Sequence, residues 1–430
     1  MVNQRRYCVI GAGAAGLAAV KTLTDAGFTV ECFEKSERVG GHWHTDYEAL
    51  HLITPKSSSC FDGFPMPASY PMYPSREQVA AYMCSYAETF GLERFITFDT
   101  SVMRIDPIGE RGADGWRVTL SNGDVRDYRG VIVANGHLWD QNIPGIVKGY
   151  TGRSIHSGSY RNTDDIEGRV LVVGFGNSGC DLAVDAAQSR KDVTIAMRTG
   201  QVFQPKTFFG LPRAELPFLT ALPPELQNMA TSMLIQVALG THEHYPGMPA
   251  PETYDLEKQP PVVNSLLLYW IQHGRIKVAP GLTKIEGKRV TFTGGSVGEF
   301  DTILWATGFK TTLPFLDKSL LDWRDGVPLR TAAMTLPTTC ESLYFVGLAA
   351  PRGTQWPVYC AQSRLIGRLI AMRERGVKNV AAHFARFQTH ESRIDIVRRF
   401  WQQNLDETLQ QLDVFDTFVE HTQTEAQLAV

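Results

Sequence analysis

The chain has 430 residues, enough for two or three domains with a sizeable core. Hydrophobic residues make up 43% and charged residues 20%, an ordinary globular balance, and a formal charge of −3 gives no electrostatic case for nucleic acid or an anionic membrane. The seven cysteines (Cys8, Cys32, Cys60, Cys84, Cys180, Cys340 and Cys360) are scattered with no Cys-x-x-Cys pair. That pattern argues against a disulfide scaffold, a zinc ribbon or a dithiol redox centre, and favours reduced thiols in a cytoplasmic enzyme. Residues 1–6 are polar and no run of about 18 apolar residues occurs, so neither a leader nor a membrane-crossing helix is expected.

Residues 7–10 are a short apolar run of strand formers, followed by Gly11-Ala12-Gly13-Ala14-Ala15-Gly16. Leu17, Val20, Lys21 and Thr24 then recur at helical spacing, with Leu23 also available for burial, until Gly27, and a second strand over 29–34 ends in Glu34. The unit is βαβ with parallel strands. Gly11 permits the tight turn, Gly13 lets backbone approach a pyrophosphate, and Gly16 lets helix pack on strand. The helix N-terminus, with Ala14 and Ala15, offers free N–H groups to phosphates. Glu34, with Lys35 beside it, stands where a carboxylate accepts ribose hydroxyls and repels a 2′-phosphate, so the site suits FAD or NAD.

A proline-rich loop (61–74), a helix (77–90) and a β region (95–128) with an Asn122-Gly123 hairpin signal come next, then a strand over 131–134. The βαβ order recurs as a strand (170–173), the turn Gly174-Phe175-Gly176-Asn177-Ser178-Gly179, a helix (181–188) and a strand (193–197). This second unit ends in Arg198-Thr199 with no acid, and Arg198 suits a 2′-phosphate, which favours NADPH. Residues 204–261 are poorly periodic and read as short helices and loops; a helix (262–271), a hairpin (283–293) and strands at 302–305 and 343–346 follow. A helix over 358–372 precedes a charged, amphipathic helical tail, 379–430. The strands ending in Ala134-Asn135-Gly136 and in Ala306-Thr307-Gly308 are what a chain needs where it crosses between two nucleotide domains. The expected fold is α/β, with two Rossmann-like dinucleotide-binding domains for two different cofactors.

Just before the second turn lies Tyr150-Thr151-Gly152-Arg153-Ser154-Ile155-His156-Ser157-Gly158-Ser159-Tyr160, followed by Arg161. With Gly40-Gly41-His42-Trp43, Phe64-Pro65-Met66-Pro67, the Gly-Asn-Ser-Gly form of the second turn, Ala306-Thr307-Gly308 and the segment 347–362, it resembles the class B flavoprotein monooxygenases, specifically the flavin-containing monooxygenase family. Arg161 is like that family; the related Baeyer–Villiger enzymes usually have Pro there. The resemblance spans nearly the whole chain up to about residue 379. It implies an FAD domain made from 1–167 and 302–430, the latter including the tail, with an NADPH domain inserted at 168–301. It also implies Gly41, His42 and Trp43 on the flavin side, the Val102 amide at adenine, Gln362 near the flavin end, and a structural role for His156. In many members an Asn near the flavin stands where this chain has Ile53, beside Thr54, which leaves the donor at that place and the substrate class open.

The family's chemistry passes hydride from NADPH to the flavin, forms a C4a-hydroperoxide with molecular oxygen, and transfers oxygen to an amine or sulfide. Within the same fold the alternatives are oxygen insertion beside a ketone and NADPH oxidation that releases hydrogen peroxide; a non-enzymatic flavin redox sensor is the alternative of another class. A homodimer is the family-based expectation. His42, His44 and His51 have no recognised metal spacing, so no metal is expected.

Overall fold

Apolar runs too short to be helices and buried on both faces form two five-stranded parallel sheets, as expected where helices or further sheet cover each side. The computed structural model describes residues 6–428; the sequence readings for 1–5 and 429–430 lie outside the described residues. The first sheet runs Leu343–Phe345, Gly130–Val133, Arg6–Ile10, Thr29–Phe33, Ile96–Thr97. Its strands come from both ends of the chain. Helices Ala14–Asp25 and Trp356–Glu374 cross closely on one face, where Gly367 brings the second helix within contact of Leu23. The antiparallel strands Val102–Ile108, Gly115–Leu120 and Val125–Tyr128 cover the other face through Trp116, Val118 and Tyr128.

The second sheet runs Ile276–Ala279, Asp192–Ala196, Arg169–Val173, Thr302–Trp305, Arg153–His156. Helices Asn177–Gln188 and Leu266–Gln272 cover one face and a three-stranded antiparallel sheet (Leu282–Glu286, Arg289–Phe292, Val297–Glu299) the other. The sheet therefore reaches past the expected limits of 168–301. The chain enters it along Arg153–His156 and leaves it along Thr302–Trp305, and those two strands pair with each other.

Three elements differ from the sequence expectation. The helix foreseen over 262–271 is Leu266–Gln272, because the segment before it is drawn out straight: Val262 N–H donates to Val202 O at 2.8 Å and Val263 N–H to Asn177 Oδ1 at 2.9 Å. The poorly periodic stretch 204–261 contains one long helix, Pro224–Leu239. The tail is a short helix, Val380–Phe387, a strand, Asp395–Ile396, and a long helix, Arg398–Leu428.

The tail is bound into the first domain at a strained turn. Ala332, Ala333 and Met334 all have positive φ (49°, 52° and 64°) and are buried. Such a conformation costs a non-glycine residue about 1–2 kcal/mol. Four side chains hold it. Ala332 N–H donates to Gln388 Oε1 at 2.9 Å and Ala333 N–H to Asn404 Oδ1 at 2.7 Å. Ala333 O accepts from Gln362 Nε2 and Trp401 Nε1, each at 3.1 Å. Asn404→Ala leaves the Ala333 N–H unpaired, and denaturant unfolding should show a loss of about 1–3 kcal/mol. Ala333→Gly, which removes the strain but loosens the unfolded chain, should stay within about 1 kcal/mol of the parent.

Candidate cofactor and oxygenation site

Each glycine turn is built where a strand hands over to a helix and a neighbouring strand passes directly beneath. A Cβ on Gly16 would lie 1.8 Å from Gly11 O, and one on Gly11, at φ +98°, 2.8 Å from Ala134 O. The second turn repeats this: Gly179 would meet Gly174 O at 2.1 Å, and Gly174, also at φ +98°, Ala306 O at 2.4 Å. These four glycines are required by packing. Gly13 and Gly176 are different. A Cβ on Gly13 would meet only Gly41 Cα, at 3.9 Å, and one on Gly176 would meet nothing within 4 Å. The middle glycine of each turn thus faces an open cradle at a helix N-terminus, which is the fit a dinucleotide pyrophosphate needs.

The surroundings of the two turns differ. Glu34 follows Thr29–Phe33 and is 5% exposed. Its Oε2 accepts from Ala12 N–H at 2.7 Å, and its Oε1 from Ser36 N–H at 2.9 Å and Ser36 Oγ–H at 2.7 Å. A carboxylate has about four acceptor sites. Three of these are filled, so Glu34 braces its own turn and keeps room for one further donor such as a ribose hydroxyl. Lys35 is exposed, its ammonium 5.4 Å from the centre of the Trp139 ring. Thr100 N–H donates to Glu34 O, and Val102 begins a strand two residues further on, so Val102 lies close to the end of the first βαβ unit. At the second turn Arg198 and Thr199 are exposed, and the Arg198 stem lies over Gly281. Its guanidinium has no protein partner among the described residues. Asn177 Oδ1 is spent on Val263 N–H.

The segment between the turns brings the two domains together. Gly40 N–H donates to Ala12 O, and a Cβ on Gly41 would sit 3.4 Å from Gly13 Cα, so the turn Gly41–His44 forms a wall of the first cradle. His42 Nδ1 pairs with Asp46, His44 Nε2 faces Val39 O at 2.8 Å, and His51 Nδ1 faces Ala49 O at 3.0 Å. The three histidines thus have three separate partners. Trp43 packs on Trp356, ring centres 6.1 Å apart, at the start of the helix that carries Gln362. Gln362 is fully buried: Oε1 accepts from Gly347 N–H at 3.0 Å and Nε2 holds Ala333 O. Both ends of its amide are therefore engaged with backbone. His137 Nδ1 lies 3.2 Å from Gly347 O, and burial pushes its pKa down to about 4, so it is neutral at ordinary pH.

Further along, Ile53 is 36% exposed, while Thr54 Oγ1 is 2.8 Å from Ser59 Oγ. Lys206, from the second domain, donates to Leu52 O at 3.2 Å, and Tyr73 donates to Lys206 O at 2.6 Å. Behind them Asp181 accepts from Tyr47 at 3.0 Å and Asn264 at 2.8 Å; burial raises the Asp181 carboxyl and lowers the Lys206 ammonium from their usual ranges. The Tyr47–Asp181 and Lys206–Leu52 links join segments far apart in the chain, and nothing in the spacing of these residues marks them. The motif over 150–160 forms the edge of the second sheet. His156 is buried, with Nε2 2.9 Å from Gly308 O and Nδ1 accepting from Gly158 N–H at 3.1 Å, and burial lowers its pKa. Both ring nitrogens are occupied, as suits a structural histidine. Thr307 Oγ1 donates to Asn142 O at 2.6 Å, which fixes the crossing at 306–308.

Three variants test the cradles. Gly179→Ala should destabilise by about 1–3 kcal/mol because backbone must shift, whereas Gly176→Ala should keep parental unfolding and weaken NADP⁺ binding by about tenfold or more in a fluorescence titration. Arg198→Ala should raise the Michaelis constant for NADPH roughly 10- to 100-fold, the worth of one charge-assisted hydrogen bond or two, and leave that for NADH nearly unchanged. Equal effects on both cofactors would remove Arg198 from the 2′-phosphate.

A family model described as flavin-binding monooxygenase-like matches residues 4–420. The chain is 31% identical to rabbit (Oryctolagus cuniculus) dimethylaniline monooxygenase [N-oxide-forming] 2 over 395 residues, covering 85% of this chain and 73% of that protein. It is 28% identical to human flavin-containing monooxygenase 5, covering 88% and 75%. Among solved structures, a flavin-containing monooxygenase from Stenotrophomonas maltophilia superposes with a TM-score of 0.66 at 20% identity, covering 86% of this chain and 98% of that one. Cyclohexanone monooxygenase from Rhodococcus sp. Phi1 bound to NADP⁺ superposes with a TM-score of 0.67 at 20% identity, covering 87% and 85%. These likenesses agree with FAD and NADPH as the cofactors. The chain belongs to the flavin-binding monooxygenase-like family.

Proposed function

We propose that this FAD- and NADPH-dependent monooxygenase transfers one oxygen atom to an uncharged amine nitrogen or sulfide sulfur of a small molecule. Substrate, molecular oxygen, NADPH and a proton give the N- or S-oxide, NADP⁺ and water. Bound flavin supplies the oxygen-activating chemistry and the nicotinamide its electrons. The protein's share is binding, orientation and exclusion of water. The cradle at Gly13, with Glu34, suits FAD, and the cradle at Gly176, with Arg198, suits NADPH. The paired rings of Trp43 and Trp356 keep one wall of the site apolar.

The observation that carries the nitrogen or sulfur reading is the loop 52–59. Ile53 presents an apolar side chain, the Thr54 hydroxyl is engaged with Ser59, and the Lys206 ammonium is turned onto Leu52 O. This loop offers no free acid or base. A neutral amine or sulfide brings its own lone pair and needs neither, and the N-oxide-forming relative is consistent with that chemistry.

NADPH consumption, oxygenated product and hydrogen peroxide should be measured together over tertiary amines, sulfides and simple ketones. Amine and sulfide oxides are the expected products; esters or lactones from ketones, with no oxide, would overturn the reading, and peroxide alone would make the chain an oxidase. Ile53→Asn, which adds a donor, should raise product formed per NADPH about twofold or more. An unchanged ratio would place residue 53 away from the reaction.

A further inference from the structure

Where the inserted domain meets the second half of the first domain, one arginine holds three separate stretches of chain. Arg352 stands in the turn between strand Ala350–Pro351 and helix Trp356–Glu374. Its Nη1 donates to Leu256 O at 2.9 Å and Glu257 O at 2.8 Å, both in the inserted domain. Its Nε and Nη2 grip the Asp395 carboxylate of the tail, each with a contact of 3.0 Å. The tail adds a second stay, with Arg399 Nη2 2.7 Å from Glu257 Oε2, and Arg398 Nε donates to Arg352 O at 2.9 Å. Arg352 N–H also donates to Ile396 O at 2.9 Å, so the backbone of the turn is tied to the tail as well.

We propose that Arg352 is an interdomain positioning residue, oriented by Asp395, that sets the inserted nicotinamide-binding domain in register with the flavin-binding domain. The inference rests on the two-cofactor reading above. The fork of a guanidinium is suited to such a joint, since one edge takes the carboxylate and the other takes two carbonyls, which a lysine cannot do at once. The turn leads into the helix whose first residue, Trp356, packs on Trp43 beside the first cradle, so the same contact fixes the second domain and that wall of the site. Leu256 is buried in the small core formed by Val202, Phe208, Leu216, Leu219 and Ile235, so a pull on its carbonyl is carried into the inserted domain. Transfer between two bound groups is steep in distance: about 1 Å of misplacement costs on the order of a hundredfold. A register error between domains therefore appears in the reduction step before it appears in binding.

The test uses FAD-loaded enzyme carrying Arg352→Gln, Arg352→Lys or Asp395→Asn. Anaerobic stopped-flow should show the flavin reduction rate at saturating NADPH falling about tenfold or more in Arg352→Gln and less in Asp395→Asn. The NADP⁺ dissociation constant should stay within about threefold, because the Arg198 end is untouched. Amide hydrogen exchange, read without turnover, should speed up by about tenfold over residues 253–258 in Arg352→Gln. Arg352→Lys should fall between, since charge returns but the fork does not. Parental reduction and exchange in Arg352→Gln would overturn the proposal and leave the two-cofactor reading standing. If Arg352→Gln cannot hold FAD, Asp395→Asn decides: slower reduction at unchanged NADP⁺ affinity supports the proposal, and parental reduction overturns it. A parent enzyme whose flavin NADPH does not reduce would overturn the function reading and this proposal together.

Discussion

Close backbone approach at two strand–helix junctions dictates how the other parts of the molecule are arranged. At each junction a helix must start against the turn that precedes it, while a neighbouring strand passes beneath. Gly16 and Gly179 have no room for a Cβ, and Ala134 and Ala306 are the small residues directly below. That contact fixes where the helix N-terminus points. It also explains why the crossings at 134–136 and 306–308 are built from small residues: a larger side chain would lift the strand away from the turn. The middle glycines, Gly13 and Gly176, then have nothing in front of them, and an open, partly positive cradle results.

Much of the remaining structure ties the segments that carry the two cradles to one another. The edge strand Arg153–His156 and the link through Thr302–Trp305 attach the second sheet to the first domain by paired backbone, a stiff connection. His156 braces this attachment through Gly308 and Gly158. Tyr47–Asp181, Lys206–Leu52 and Arg352–Glu257 fasten the domains at separate places. Several of these groups lose water in doing so, which is why the Asp181 carboxyl and the Lys206 ammonium both shift toward their neutral forms. Beside the first cradle Trp43 packs on Trp356, an apolar wall that favours exclusion of water over side-chain acid–base work.

Several residues read from the sequence carry more than the role first given to them. Glu34 sits where a ribose would be met, and it also braces Ala12 and Ser36. Gln362, read as a residue near the flavin, spends both ends of its amide on backbone, joining Gly347 to the strained turn at Ala333. Asn177 of the second turn holds the segment before helix Leu266–Gln272, and thereby delays that helix relative to its apolar pattern. The tail, which periodicity marks only as helical and charged, supplies Asn404 and Trp401 to a strained turn in the first domain and Asp395 to Arg352. Each of these is a contact between residues far apart in the chain, and local pattern does not encode such a partner.

The order of residues alone specifies the two βαβ units, the acid after one and the base after the other, and hence two cofactors of different kind. These are local properties: a turn type, a helix start and a charge at the end of a strand act over about thirty residues, within which spacing dictates geometry. Which glycines serve packing and which face open space, which strands share the second sheet, and what the tail touches are decided only in the folded chain. Those outcomes depend on strands pairing across the chain, Arg153–His156 with Thr302–Trp305 and Leu343–Phe345 with Gly130–Val133, and on side chains that reach between domains. The free energy of such contacts comes from burial and hydrogen bonding that exist only once the whole chain has folded.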